Sequence, residues 1–260
     1  MNGTVLGISL RGAFHVWQRN LTVYKKTYKI NILPNFFEPV IYLVAMGMGL
    51  GAYIRGDIEG FSYLQYIAPG LIVASAMNGG TFETTYNIFV KMHFGKTYEA
   101  VTATPVNVED AMVGEILWGI TRGIIYGTIF FLVTAVMGLA SGWTSLLVLP
   151  VIVLTAWMFA GMGLLYTSYV KIIDAYSYYY TIWLTPLFLF SGIFFPVGGL
   201  PPWARVAAWF TPLYHSVNMS KGVLHGTWGQ GTWIDLAWVV GVATVTSTWA
   251  VLRLRKNLLR

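Results

Sequence analysis

The sequence predicts an all-α integral membrane protein with six transmembrane helices. An N-terminal amphipathic helix lies on the membrane surface, and short re-entrant helices precede the last span. Composition, apolar runs and charge bias predict it. The chain is 56% hydrophobic and 10% charged, with a mean hydropathy of +0.63. A soluble domain carries about 25% charged residues, and this composition would leave its wetted surface mostly apolar. Apolar runs long enough for the hydrocarbon core recur between short polar connections. Lys and Arg concentrate in the two tails and in the second and fourth loops, leaving only Arg55, Arg205 and Lys221 on the other side. By the positive-inside rule both termini are expected in the cytoplasm.

Residues 6–29 carry Leu6, Leu10, Phe14, Trp17, Leu21 and Tyr24 at spacings of three and four, with Arg11, His15, Arg19 and Lys25 between them. That pattern predicts a helix along the membrane surface, or one packed on a soluble partner. The first apolar stretch is too long for a signal-peptide core and lacks a small-residue cleavage pattern. The first span is expected over Leu33–Ile54, with Pro34 and Pro39 at its start and Glu38 near its cytoplasmic end. Gly47, Gly49 and Gly51 permit close helix approach or a bend. The second span is expected over Tyr63–Ile88, after a polar loop with Arg55, Asp57 and Glu59. Pro69 and Gly70 interrupt it, Asn78, Gly79 and Gly80 form a small polar centre, and Glu83 follows.

The longest polar stretch, Lys91–Glu115, predicts short helical turns before Pro105. A new helix begins near Asn107, with Glu109 and Asp110 in its favourable first turn. The third span is expected over Leu117–Leu139, a turn at Ser141 and Gly142, and the fourth over Leu146–Tyr169 with Gly161 and Gly163 as packing positions. Lys171 and Asp174 form a second cytoplasmic connection, and the fifth span is expected over Tyr176–Phe195. Residues 196–234 hold Pro201, Pro202 and Pro212 with Trp203, Trp209, Trp228 and Trp233, and read as one or two short helices in or on the outer leaflet. The sixth span is expected over Leu236–Leu252, before Arg253, Arg255, Lys256 and Arg260.

Several chemistries are excluded or unsupported. The chain has no cysteine, hence no thiolate chemistry or disulfide. It has no Gly-rich loop ending in Lys-Ser or Lys-Thr, so no ATP site of its own is expected. His15, His93, His215 and His225 lack metal-binding spacing. Glu38, Glu83, Glu115 and Arg122 lie near span ends and do not form the carboxylate relay of a proton-driven pump. Glu115 and Arg122, seven positions apart, share a helix face as a polar pair or as snorkelling residues. The net charge of +6 calls for no nucleic acid, because tails facing anionic lipid explain it.

Two stretches carry a resemblance. One is GGTFETTYNIFVKMHFGKTYEAVTATPVNVEDAMVGEILWG, from Gly79 to Gly119; the other is LFLFSGIFFPVGGLPPWARVAAWFTPLYHSV, from Leu187 to Val217. Both resemble the membrane subunit of type-2 ABC exporters (the ABC-2 permease family), nearest its NodJ-like branch, which exports lipo-oligosaccharides. The resemblance implies an ATP-driven exporter of a lipid-linked glycan, lipo-oligosaccharide or polysaccharide across the cytoplasmic (inner) membrane. A drug or antibiotic exporter of the same architecture is the alternative; a membrane-embedded enzyme or a scaffold would be a different class. It also implies a permease homodimer among membrane lipids with two copies of a cytoplasmic ATPase, on which ATP and magnesium would sit.

Carried onto this chain, the family's coupling helix falls on residues 94–104, with Phe94, Lys96, Tyr98, Glu99 and Thr104 as ATPase contacts. Gly114 and Glu115 match a motif opening span three, grouped with Arg122 and Glu83 as structural or gating residues. Phe195, Pro196, Leu200, Pro201, Pro202, Trp203, Pro212 and His215 match the outer re-entrant motif. The substrate path between two permease copies would be lined by Tyr42, Met46, Asn78, Tyr179 and Phe188.

Overall fold

A computed structural model describes residues 7–258 of the protein apart from Arg55, Ser141 and Trp228. Expectations resting on Leu6, Arg55, Ser141, Trp228 and Arg260 lie outside the described residues. Among the described residues every regular element is helical, with one isolated β-bridge between Ile58 and Phe61. Among the described residues three helical stretches are long and apolar enough to cross a membrane: Val108–Val136, Trp143–Thr167 and Gln230–Leu258.

The first helix, α1 (Leu10–Met48), is longer than the sequence suggests. The surface helix and the start of the first apolar run were expected as separate pieces, yet the backbone continues through both, with Pro39 inside it. A proline removes one ladder hydrogen bond, and in an apolar helix that loss is tolerated where neighbours compensate. The break comes instead at Gly49, whose ψ of −91° lies off the helical value. A four-residue helix, α2 (Leu50–Tyr53), follows.

The second apolar run forms α3 (Tyr63–Phe82), a π turn over Glu83–Asn87, and α4 (Ile88–His93). Ser62 and Gln65 close a capping box at its start. The Thr84 and Thr85 hydroxyls donate to Gly80 O (2.9 Å) and Thr81 O (2.7 Å) beside the wider turn. The polar stretch contributes α5 (Thr97–Thr102), shorter than the expected 94–104. Next come α6 (Val108–Val136), a 3-10 turn at Trp143–Leu147 and α7 (Val148–Thr167). The fifth run is α8 (Ala175–Tyr178), a π turn over Tyr179–Leu184 and α9 (Thr185–Phe190). It stops short of the expected Phe195, and Gly192 turns with a φ of +83°. Two short helices, α10 (Pro202–Trp209) and α11 (Pro212–Leu224), precede α12 (Gln230–Leu258), which starts earlier than expected.

Small residues bring α3, α6 and α7 together. A Cβ at Gly79 would meet Arg122 O at 2.8 Å, and one at Gly80 would meet Ala156 O at 2.9 Å. On α6, a Cβ at Gly123 would meet Ala76 O at 2.8 Å. Backbones this close gain dispersion contacts that apolar surroundings cannot otherwise supply. Gly123→Leu is therefore expected to destabilise the protein by about 1–3 kcal/mol, read as a lowered thermal midpoint in detergent. The core divides into two clusters. The larger holds Tyr66, Ile72, Met77, Ile152 and Phe159. The smaller, around Ile88, Tyr98, Met112, Leu164 and Leu254, lies at the expected cytoplasmic end.

Candidate functional site

Gly114 and Glu115 occupy adjacent roles on α6. A Cβ at Gly114 would meet Ala13 O at 2.6 Å, so its absence lets α1 cross α6 closely. That approach is fastened by Trp17 Nε1 donating to Thr121 Oγ1 (2.9 Å) and Ser9 N donating to Asp110 Oδ1 (2.6 Å). It also delivers Arg19 and Asn20 of α1 to the fully buried Glu115. Glu115 Oε2 accepts from Lys91 Nζ of α4 (2.7 Å) and Asn20 Nδ2 (2.9 Å). Its Oε1 accepts from Tyr98 Oη of α5 (3.0 Å), with Arg19 Nη2 at 3.5 Å. One carboxylate thus joins α1, α4, α5 and α6. Burial and the neighbouring Glu115 push the Tyr98 phenol well up, so it stays a donor.

Two expectations are corrected here. Glu115 and Arg122 do not pair with each other, nor does Arg122 snorkel. Arg122 is buried, with Nε 3.2 Å from Glu83 Oε2 and Nη2 donating to Tyr126 Oη at 2.8 Å. The rings of Tyr24 and Tyr126 lie 4.5 and 5.0 Å from its guanidinium carbon. A shared helix face is no guarantee of pairing when oppositely charged partners stand on neighbouring helices. Tyr98, expected on the partner-facing surface of the coupling segment, is 3% exposed and points inward to Glu115. An amphipathic turn must present one face to the core, and Tyr98 lies on it.

The outward residues of that segment are Phe94, 70% exposed, and Lys96 and Glu99, whose side chains pair at 4.0 Å. Lys96 adopts a φ of +44° at the start of α5. Thr104 closes the turn, donating to Val101 O at 2.6 Å.

Farther along, a groove of about 240 Å³ runs between α1, α3 and the 179–190 helix. It gathers Tyr42, Asn78 and Phe188 from the expected path, with Tyr42 and Phe188 edge-to-face at 6.2 Å. Met46 packs against the larger core instead. Tyr179 is buried against Tyr166 at 4.5 Å, and Tyr180 takes the groove position, its hydroxyl 2.9 Å from Thr85 Oγ1. Glu38 and Thr185 also line the groove. The i,i+4 spacing of Glu38 with Tyr42 was the signal for the first of these.

The proline-rich motif is built around helix starts. Pro202 and Pro212 open α10 and α11, where a missing N–H costs no ladder bond. Leu200 O accepts from Arg205 Nε (2.7 Å), Phe195 meets Phe190 at 6.4 Å, and Trp203 is 75% exposed. Pro196 precedes a 3-10 turn. His215 is fully buried, its Nδ1 2.6 Å from Asp235 Oδ1 and its Nε2 2.7 Å from Trp209 O. Asp235, on α12, was not singled out from sequence.

The same region repairs α3. Pro69 cannot donate to Gln65 O, and His225 Nε2 does so at 3.1 Å. Ser220 Oγ donates to Pro69 O at 2.8 Å. Lys221 Nζ donates to Gly192 O at 2.7 Å and lies 3.4 Å from the Tyr66 ring centre. Burial pushes the Lys221 ammonium down from 10.5 to about 7, with the Glu59 carboxylate acting the other way. The unfolded chain therefore holds this proton over a range where the folded chain has released it. Folding stability is expected to rise as pH climbs from about 7 towards 10.5 and to fall as pH drops through about 7. Thermal midpoints across that range, compared with Lys221→Met, check it: the variant should lose the rise.

Among the described residues no group of three or more His, Cys, Asp or Glu could hold a metal ion. Comparison with known proteins gives a consistent match. Residues 12–224 match the family model described as ABC-2 type transporter. The chain is 35% identical over 222 residues to Nodulation protein J of Sinorhizobium fredii, covering 85% of this chain and 84% of that one. It is 37% identical over 211 residues to Nodulation protein J of Rhizobium leguminosarum bv. viciae, covering 81% of each. It is also 26% identical over 230 residues to the inner membrane transport permease YadH of Escherichia coli, covering 88% of each.

Proposed function

This chain belongs to the ABC-2 type transporter family, and from that membership we propose that it is the permease subunit of an ATP-driven exporter. Its cargo is a lipid-linked glycan, lipo-oligosaccharide or polysaccharide, moved outward across the cytoplasmic membrane. The chain crosses six times with both termini in the cytoplasm; the pieces 33–54, 63–88 and 176–195 add to the three long apolar helices, and α10 and α11 form the re-entrant outer region. ATP and magnesium sit on a separate cytoplasmic ATPase, two copies of which serve a homodimer of this chain.

The observation that carries this reading is the Glu115 cluster. A partner pushing on Phe94, Lys96 and Glu99 would move α5, and Tyr98 would pass that movement through Glu115 to α1 and α6. The groove holding Tyr42, Asn78, Tyr180 and Phe188 fits a path wall, offering aromatic faces for sugar rings and polar atoms for hydroxyls. Charge reversal of both Lys96 and Glu99, with membrane insertion intact, is expected to lower ATPase recovery on purification at least tenfold. Undiminished recovery, with transport intact, would remove α5 as the coupling element. Loss of the chain is expected to trap lipid-linked glycan in the cytoplasmic leaflet, measured by lipid mass spectrometry; trapping of a drug instead would favour the efflux reading.

A further inference from the structure

A second cavity, of about 350 Å³, opens between α1, the end of α3 with α4, and α6. Its polar lining includes Asn20, Tyr24, Glu83, Lys91 and Arg122. Hydrogen-bond donors outnumber acceptors there. Arg122 Nη1 and the Tyr24 hydroxyl are buried without a well-aligned partner. The guanidinium lies beside the Tyr24 oxygen, which leaves the Tyr24 O–H unused as a donor, and Arg122 Nε faces Glu83 without hydrogen-bond alignment. Arg122 is only 4% exposed, and a buried guanidinium with unused N–H groups is costly unless something accepts from them. Lys91 uses two of its three N–H groups, on Asn20 and Glu115. Arg19, Lys91 and Arg122 stand against the carboxylates Glu83 and Glu115, leaving an excess of positive charge.

The other wall is apolar and open. Val23, Phe82 and Val90 line it and are 60%, 46% and 44% exposed. Outward from Tyr24 on the same helix, Lys25, Lys26 and Lys29 are exposed. A site with surplus donors on one side and an apolar exit on the other suits an amphipathic anion.

We propose that this cavity binds a phosphate-bearing anion, through Arg122 and Tyr24 as donors with Lys91 beside them. The chemistry is that of a phosphodiester or phosphomonoester; it can come from a membrane phospholipid headgroup or from a free phosphate. Arginine is suited to it because its planar fork matches phosphate oxygens. This site is separate from the groove around Tyr42 and Phe188, and it stands whether or not that groove carries cargo.

The test uses the full chain, solubilised and stripped of lipid, in native mass spectrometry. Phosphatidylglycerol and zwitterionic phosphatidylcholine are the probes, and inorganic phosphate is the competitor. Phosphatidylglycerol is expected to be retained roughly tenfold more strongly than phosphatidylcholine, which has the same phosphodiester but whose choline ammonium would meet the site's excess positive charge. Tyr24→Phe keeps the ring and every charge; it should weaken retention roughly tenfold, as loss of one hydrogen bond to an ionised acceptor would. The double variant Glu83→Gln with Arg122→Gln should weaken it roughly tenfold or more. Tyr24→Phe keeps the test decisive should the double variant not fold. Displacement by millimolar phosphate supports the site with a free anion as its source; resistance to phosphate supports it with a lipid headgroup. No preference over phosphatidylcholine, or equal retention by wild type and Tyr24→Phe, overturns the proposal.

Discussion

Glu115→Ala is expected to destabilise the folded protein by about 3–5 kcal/mol and to lower export at least tenfold. The carboxylate is fully buried and receives hydrogen bonds from Lys91, Asn20 and Tyr98. Removing it takes away the acceptor that the Lys91 ammonium, the Asn20 amide and the Tyr98 hydroxyl share. Glu115→Gln preserves volume and an acceptor for Tyr98. It sets an amide N–H₂ against donors from Lys91 and Asn20, and a smaller loss is expected. Two readouts separate the roles. The thermal midpoint in detergent reports the structural cost. Export by the complex, relative to ATP hydrolysed, reports coupling. An Ala variant that keeps both within twofold would mean that α5 moves independently of α1 and α6.

Arg122→Leu is the second large effect. It leaves the buried Glu83 without its cation, 3.2 Å away in the native pair. Breaking one side of such a pair costs about 3–5 kcal/mol, whereas replacing both sides with apolar residues is often neutral. The double variant Glu83→Leu with Arg122→Leu is therefore expected to recover most of the stability lost by the single one. If the double variant is as unstable as Arg122→Leu alone, Arg122 acts mainly through Tyr126 and the Tyr24 ring rather than through Glu83.

What could be read from sequence follows from which forces are local. Apolar content and helix period made an all-helical membrane protein legible, whereas Gly114 and Glu115 stood out only through the family resemblance. The pairing of charges was not legible. Lys91 lies 24 positions from Glu115, and Asn20 lies 95 positions away, so their meeting depends on how helices cross. For the same reason Arg122 took Glu83 rather than the residue on its own helix. Tyr179 and Tyr180 show a finer limit: both suit a path wall, and the π turn over 179–184 turns one inward and leaves the other in the groove. Asp235 escaped notice because nothing nearby in sequence marks it as the partner of His215. The join between surface helix and first apolar run was missed because two prolines suggested a break, whereas the backbone turns only at Gly49.

The claim at the centre is that this chain is driven by a separate ATPase docked on the segment that Tyr98 ties to Glu115. The most direct measurement is mild solubilisation of the protein from its native membrane, followed by mass spectrometry of the chains that co-purify. Recovery of a nucleotide-binding ABC ATPase, lost when residues 94–104 are replaced by a flexible linker, is the predicted result. Reproducible absence of any ATPase from an intact, folded preparation would contradict it.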